Sequence, residues 1–438
     1  MSGIAHLFLR RGFTVSGSDV KSSAATDALY NAGARIFIGH RAEQVRGAGV
    51  IVYSSAVRED NPEMAEGRSL GIPVMKRAQA LAELMKDKTV ITVAGSHGKT
   101  TTSSLLSYLL LEAGLCPTIA VGGIVRNIDT NACIGDGEFF VAEADESDGS
   151  FLYYTPKYSI ITNIDREHLD YYHDFSNEIN AFREFIGRTT DSGCLFCCYD
   201  DKNLRNLLKN YKRRHVLFGL SNQADIYPEN ISLEALSSRF DCRYNGVLLG
   251  SFRLLLGGLH NISNATGVIA AGLELGIRVE VIQKVLAGFQ GAKRRLEVKL
   301  STDKFTVIDD YAHHPTEIRA SLAALKQFGS RRVIAIFQPH RYTRTQLLLQ
   351  EFGRCFEHAD KVIITDIYAA NEQPIPGVTG ESVCNAVREV FQHKEVNFVS
   401  KEQIPDFIKT VARDKDVIVT LGAGDITKIS DQLAKLLG

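Results

Sequence analysis

The chain has 438 residues, 45% of them hydrophobic, and a net charge of −1. That length exceeds one ordinary core and predicts two to three domains, and the near-neutral charge argues against a nucleic-acid partner. No apolar run approaches the roughly 20 residues of a membrane span, and residues 4–9 are too short for a signal peptide. Eight scattered cysteines suit a reducing compartment, so the sequence reads as a cytoplasmic protein without a membrane partner.

Strand-like and helix-like segments alternate almost throughout, the pattern of an α/β chain with mainly parallel sheets. Residues 13–16 and 50–54 read as strands of a first region that ends near residue 87. Asp19 is placed just past a strand end, where a ribose or base is commonly met. The charged run 86–88 marks a boundary.

Residues 89–114 carry the strongest signal. An apolar strand at 90–93 runs into Gly95-Ser-His-Gly98-Lys99-Thr100-Thr101, and a helix follows at once. Leu105, Leu106, Leu109, Leu110 and Ala113 recur at helical spacing, with Gly114 as the C-cap. Gly95 and Gly98 let backbone N–H groups approach phosphates. Lys99 and Thr100 stand where a phosphate and its Mg²⁺ need them. Val93 occupies the place of the first glycine in the full phosphate-loop pattern. The expected ligand is a nucleoside triphosphate.

The strand 139–143 ends in Glu143-Ala-Asp-Glu-Ser-Asp148, an acidic run at the crevice end of a parallel strand. Glu143 is expected to hold Mg²⁺, with a solvated acidic loop as the plainer alternative. A strand at 158–163 leads to Asp165, His168 and Asp170. His168 reads equally as a structural residue or as part of the acidic cluster. The run 193–198, with Cys194, Cys197 and Cys198, reads as a buried strand rather than a zinc site, because no second cysteine pair stands at ligand spacing.

Residues 225–257 resemble a β-meander, and a helix is expected after the His260-Asn261 turn. Lys293, Arg294 and Arg295 read as solvated or salt-bridged rather than as a nucleic-acid patch. Beyond them, 305–309, 333–337, 361–366 and 417–421 look like strands with helices between, the last followed by a glycine turn at 421–425. Asp309, Asp310, His313 and His314 gather at one strand end, which fits ribose binding and a polar substrate pocket, with Pro315 in the first helical turn. Arg341 and Arg344 stand three apart at a strand–helix junction. They could clamp carboxylate or phosphoryl oxygens, or form surface salt bridges.

Six motifs occur in order: Gly95-Ser-His-Gly-Lys-Thr-Thr, Glu143-Ala-Asp-Glu-Ser-Asp, Thr162-Asn-Ile-Asp-x-x-His168-Leu-Asp, Gly258-Leu-His-Asn261-x-x-Asn264-Ala, Asp309-Asp-Tyr-Ala-His-His-Pro-Thr and Gln338-Pro-His-Arg-Tyr-Thr-Arg. Together they resemble the Mur ligases of bacterial cell-wall synthesis, and most of all the alanine-adding branch, over nearly the whole chain. The resemblance implies three α/β domains: a Rossmann-like UDP-sugar domain (1–87), a central phosphate-loop ATPase (88–297) and a Rossmann-like C-terminal domain that closes on ATP and amino acid (298–438). It implies ATP-dependent joining of L-alanine to UDP-N-acetylmuramic acid through an acyl phosphate, by a monomer or weak homodimer. Lys99 would hold phosphates and Thr100 would ligate Mg²⁺, while Glu143 and His168 would serve the metal sites. Asn261 and Asn264 would contact adenine, Arg295 the phosphate and Asp310 the ribose. His314, Arg341 and Arg344 would position the amino acid and the acyl phosphate.

Two departures from the family pattern matter. Sister ligases carry a carbamoylated lysine after an alanine, but here Ala181 precedes Phe182 and no such modification is expected. The family's opening strand and Gly-x-Gly-Gly loop have no counterpart before Met1-Ser-Gly-Ile-Ala. Its absence is expected to leave neighbouring strand edges unpaired and to weaken UDP-N-acetylmuramic acid binding. The alternatives are a murein-tripeptide recycling or folylpolyglutamate-type ligase, or a catalytically inactive nucleotide-binding protein.

Overall fold

The computed structural model describes residues 1–438 except 55, 56, 235 and 330. Its contacts divide the chain into two compact units, Met1–Tyr227 with Asn264–Val285 and Pro228–Ser263 with Leu286–Gly438.

The first unit is built on a sheet whose central strand, Thr89–Ala94, is flanked in parallel by Phe139–Glu143 and Tyr158–Ile161. Cys194–Cys198 and His215–Phe218 continue it on one side, and Thr118–Val125 on the other. Thr130–Cys133 closes that second edge in antiparallel sense. The register pairs Val93 with Glu143 and Ala94 with Ile161. The chain segments leaving three adjacent strands therefore emerge at one sheet edge, the place where open α/β sheets receive ligands. Cys194–Cys198 is buried along its whole length, and burial pushes the Cys194 thiol up to about 11. These thiols pack as small hydrophobes.

Near the N-terminus, Ser16–Asp19 pairs in parallel with Arg35–Ile38, and Ile51–Tyr53 with Val74–Lys76. Among the described residues these form two separate two-stranded sheets. The strand expected at 13–16 begins only at Ser16, so Asp19 is its last residue rather than one beyond it. Phe13 is exposed, its aromatic character spent on an edge contact with Phe8 instead of a sheet face.

The second unit carries a sheet in the order Glu297–Ser301, Phe305–Asp310, Asp416–Leu421, Val333–Phe337, Lys361–Ile364, Glu395–Phe398. All its pairs are parallel except the first. Alternate residues serve opposite faces: Val333, Ala335 and Phe337 join one buried cluster, and Ile334 and Ile336 the other. Both faces are covered, so the strand reads as an unbroken apolar run. Asp310, Phe337 and Ile364 all end at the level of Leu421 or beside it. That register brings the loops after 310, 337, 364 and 421 to one edge.

The expected meander is present as Ile226–Glu234, Ser237–Tyr244 and Val247–Leu254. The expected turn at His260-Asn261 is instead helical, because the helix Leu259–Glu274 starts one residue earlier. Gly258, at φ +92, makes the reversal that a turn would have made.

Candidate functional site

The strand Thr89–Ala94 is followed by the loop 95–98 and then by the helix Lys99–Glu112. Gly98 caps that helix at φ +81, and a Cβ there would lie 2.8 Å from Asn264 Oδ1. Gly95, at φ +127, has Thr162 Oγ1 where a Cβ would go. Neither position admits a side chain, which holds the loop's backbone N–H groups at the surface of the crevice. The next strand end pins the loop from the other side. Asn163 Oδ1 accepts from His97 N at 2.9 Å, and Ser96 Oγ accepts from Asp165 N at 2.8 Å. The His97 ring meets Asp165 Oδ2 at 2.9 Å.

Lys99 is the charged centre of this site. Its Nζ donates to Gly95 O at 2.7 Å, Ser96 O at 3.2 Å and Glu146 Oε1 at 2.7 Å. Burial alone would lower its pKa, but Glu146, Asp145 and Glu143 outweigh that and raise it well above the ordinary lysine value. Thr100 Oγ1 donates to Glu143 Oε1 at 3.1 Å, and Ser103 Oγ and Gly122 N donate to Glu143 Oε2 at 3.3 and 2.9 Å. Thr101 lies buried in the same first helical turn.

A second group of ligand-type atoms stands beside it. One atom each from Glu146, Glu167 and His168 lie within 4.8 Å of one another. His168 has left-handed backbone at φ 53, and its Nε2 sits 3.6 Å from both Glu146 Oε1 and Glu167 Oε2. Burial opposes a charged ring, yet these carboxylates raise its pKa above the usual histidine value. Glu146 is fully buried, and its Oε2 has no hydrogen-bond partner among the described residues. An orphaned buried carboxylate oxygen beside other acids fits a cation.

In the second unit, Arg295 lies 5.0 Å over the ring of Tyr311, and Arg294 lies 5.0 Å from the same ring. Arg294 is also tied to Asp309 Oδ2 at 3.2 Å and to Gly422 O at 2.7 Å. It is therefore structural, as a salt-bridged junction predicts. Asp310 is buried, with Oδ1 accepting from Ala312 N at 2.9 Å and Oδ2 from Ser321 Oγ at 2.8 Å. Burial pushes its carboxyl up to about 6. Asn261 donates through Nδ2 to Gly257 O at 2.8 Å.

His314 and its neighbour differ in direction. His314 is the N-cap of Pro315–Leu325, its Nδ1 accepting from Thr316 N at 3.3 Å, and it is only 4% exposed. His313 is half-buried and meets the ring of His340 edge-on at 5.8 Å and that of Tyr311 at 5.4 Å. His340 stacks on Tyr368 and accepts from Arg344 Nη1 at 3.2 Å. Burial, followed by His313, Arg344 and Arg341, lowers the His340 pKa to about 3, so this ring stays neutral among cations. Tyr311, His313 and His340 accompany the arginines here, and the motif's length concealed which histidine faces them.

A glycine loop at the ligand edge of a parallel sheet, with its buried lysine and acids on the adjoining segments, defines a phosphate-loop nucleotide-binding protein of the α/β class. Three family models match: Mur ligase family, catalytic domain over residues 1–89, Mur ligase middle domain over 93–272, and Mur ligase, glutamate ligase domain over 294–424. The chain belongs to the Mur ligase family, and its architecture is the three-domain mixed α/β arrangement expected. It is 46% identical to the UDP-N-acetylmuramate–L-alanine ligase of Desulfatibacillum aliphaticivorans over 98% of this chain and 95% of that one. The enzyme of the same name from Desulfotalea psychrophila is 47% identical, covering 100% of this chain and 96% of the relative. The solved UDP-N-acetylmuramate-alanine ligase of Thermotoga maritima superposes with a TM-score of 0.84 at 28% identity, covering 99% of this chain and 96% of that one.

Proposed function

We propose that this chain is an ATP-dependent ligase of peptidoglycan precursor synthesis, joining L-alanine to the lactyl carboxylate of UDP-N-acetylmuramic acid. The observation that carries the reading is identity of 46% along nearly the full length of a relative with that name. The local chemistry agrees with it. A carboxylate is a poor electrophile, so its oxygen first attacks the γ-phosphate of ATP, giving an acyl phosphate and ADP. The neutral amine of L-alanine then attacks the acyl carbon. The tetrahedral intermediate expels phosphate and leaves an amide.

Phosphoryl transfer of this kind is mainly positioning and charge neutralisation. Lys99 supplies a positive charge fixed by Glu146, and the loop 95–98 supplies backbone donors. Thr100 would ligate Mg²⁺, and Glu143 and His168 would serve the metal sites, where bound positive charge would further neutralise the phosphates. Asn261 and Asn264 would receive the adenine, and Arg295 a phosphate. A ribose hydroxyl would replace that of Ser321 on Asp310. His314, Arg341 and Arg344 would position the alanine and the acyl phosphate. The protein is expected to act in the cytoplasm.

The test is phosphate release with ATP, Mg²⁺, L-alanine and UDP-N-acetylmuramic acid, omitting each in turn. Release that requires all four, with an amide product by mass spectrometry, is expected. An amide formed with a murein tripeptide but not with L-alanine would replace this reading by the recycling ligase. ATP binding without phosphate release would leave a nucleotide-binding protein.

A further inference from the structure

The loop after Lys361–Ile364 contains a carboxylate, Glu372, that no motif predicts. Its Oε1 accepts from Arg341 Nε at 2.9 Å and from Thr343 Oγ1 at 2.7 Å. Its Oε2 accepts from Thr343 N at 3.0 Å, and the side chain is 15% exposed. One carboxylate thus spans the side chain of Arg341 and the backbone two residues later. The loop bends sharply to deliver it: Ala370 and Asn371 are consecutive non-glycine residues at φ 47 and φ 70. Arg341 itself stands at φ 70, held by its N–H donating to Tyr368 O at 2.8 Å. Three left-handed residues around one ion pair are strain that surrounding structure must offset.

We propose that Glu372 is a positioning residue for amino-acid recognition, fixing the Arg341 guanidinium in the orientation that receives the L-alanine carboxylate. This rests on the alanine-ligase reading above. Oε1 meets the guanidinium at Nε while the same carboxylate holds the hydroxyl and backbone N–H of Thr343, so one group ties the arginine to the chain beside it. The alternative is a carboxylate that merely stands in for that of alanine on the guanidinium. Glu372 instead acts as the brace that sets the plane of the guanidinium. The two roles have opposite signs: losing a stand-in tightens alanine binding, and losing a brace weakens it.

The experiment compares Glu372→Gln and Glu372→Ala with the parent protein in steady-state ligation, using L-alanine and L-alaninamide as acceptors. The proposal expects KM for L-alanine to rise tenfold or more in both variants, with KM for ATP within twofold. It also expects the preference for L-alanine over L-alaninamide to shrink by a similar factor. An unchanged or lowered KM for L-alanine would overturn it, as would an equal rise in KM for every substrate. A parent protein that does not ligate L-alanine would overturn the functional reading instead. For that case a second readout stands apart from activity, the ¹⁵N–¹H signal of Arg341 Nε, assigned by its loss in Arg341→Lys. Faster solvent exchange of that proton in Glu372→Gln is expected, and unchanged exchange would overturn the brace.

Discussion

The two units each place their chemistry at the ends of parallel strands, yet they build it from opposite charges. Around Lys99 a single cation is surrounded by the carboxylates of Glu143, Asp145 and Glu146. Around His340 the arrangement is inverted, with Arg341, Arg344 and Arg294 gathered on a neutral imidazole, Glu372 paired with Arg341, and Glu317 set 3.3 Å from His313 Nδ1. An acid-rich site with one lysine suits a cation–polyphosphate pair, and a guanidinium-rich site suits carboxylate and phosphoryl oxygens. The contrast teaches that the phosphate site is rigid through backbone, whereas the arginine site is rigid through side-chain pairs.

The sharpest way to break this comparison is Lys99→Met. It removes the lysine that pairs with buried Glu146 at 2.7 Å, so kcat should fall roughly 10²–10³-fold in phosphate release. Thermal or denaturant unfolding should also show a loss of about 3–5 kcal/mol, the cost of stranding a buried charge. Arg344→Ala should raise KM for L-alanine roughly 30-fold, about 2 kcal/mol, while leaving KM for ATP near its parent value. A comparable rise in both constants would erase the division of labour between the Lys99 and His340 sites.

A pH series gives a smaller effect with a definite sign. Burial lowers the His260 pKa to about 4, and the His340 pKa lies at about 3, against 6.5 for the ordinary side chain. As pH falls below about 6.5 the unfolded chain takes up protons that the folded chain refuses. Stability contributed by these neutral rings is full above that value and is lost progressively toward pH 4 and below. Urea midpoints should therefore fall between pH 7 and pH 5, and His260→Gln should flatten the slope. The least change is expected from Lys401→Ala. Its partly exposed pair with Asp425 should contribute at most about 1 kcal/mol in the same unfolding assay.

Legibility from sequence followed contiguity. Gly95, Gly98, Lys99 and Thr100 are neighbours in the chain, so strand, loop and helix could all be read from one segment. Glu143 was legible because it ends an apolar strand, and parallel pairing with Thr89–Ala94 puts that end beside the loop. The clamp formed by Asn163, Asp165 and His97 was not, since it depends on register between strands some 70 residues apart in the chain. Adjacent His313 and His314 could not be distinguished by spacing, because only the N-cap geometry turns one inward and leaves the other beside His340. Glu372 was invisible for a similar reason: its role comes from two left-handed residues that no pattern announces.

The central claim is that the sugar's carboxylate oxygen becomes bonded to phosphorus before the amide forms. It is tested most directly with UDP-N-acetylmuramic acid carrying ¹⁸O in the lactyl carboxylate, turned over with ATP and L-alanine. The account predicts one ¹⁸O atom in each phosphate released, seen by mass spectrometry or ³¹P spectroscopy. Phosphate that carries no ¹⁸O while the amide product forms would contradict it.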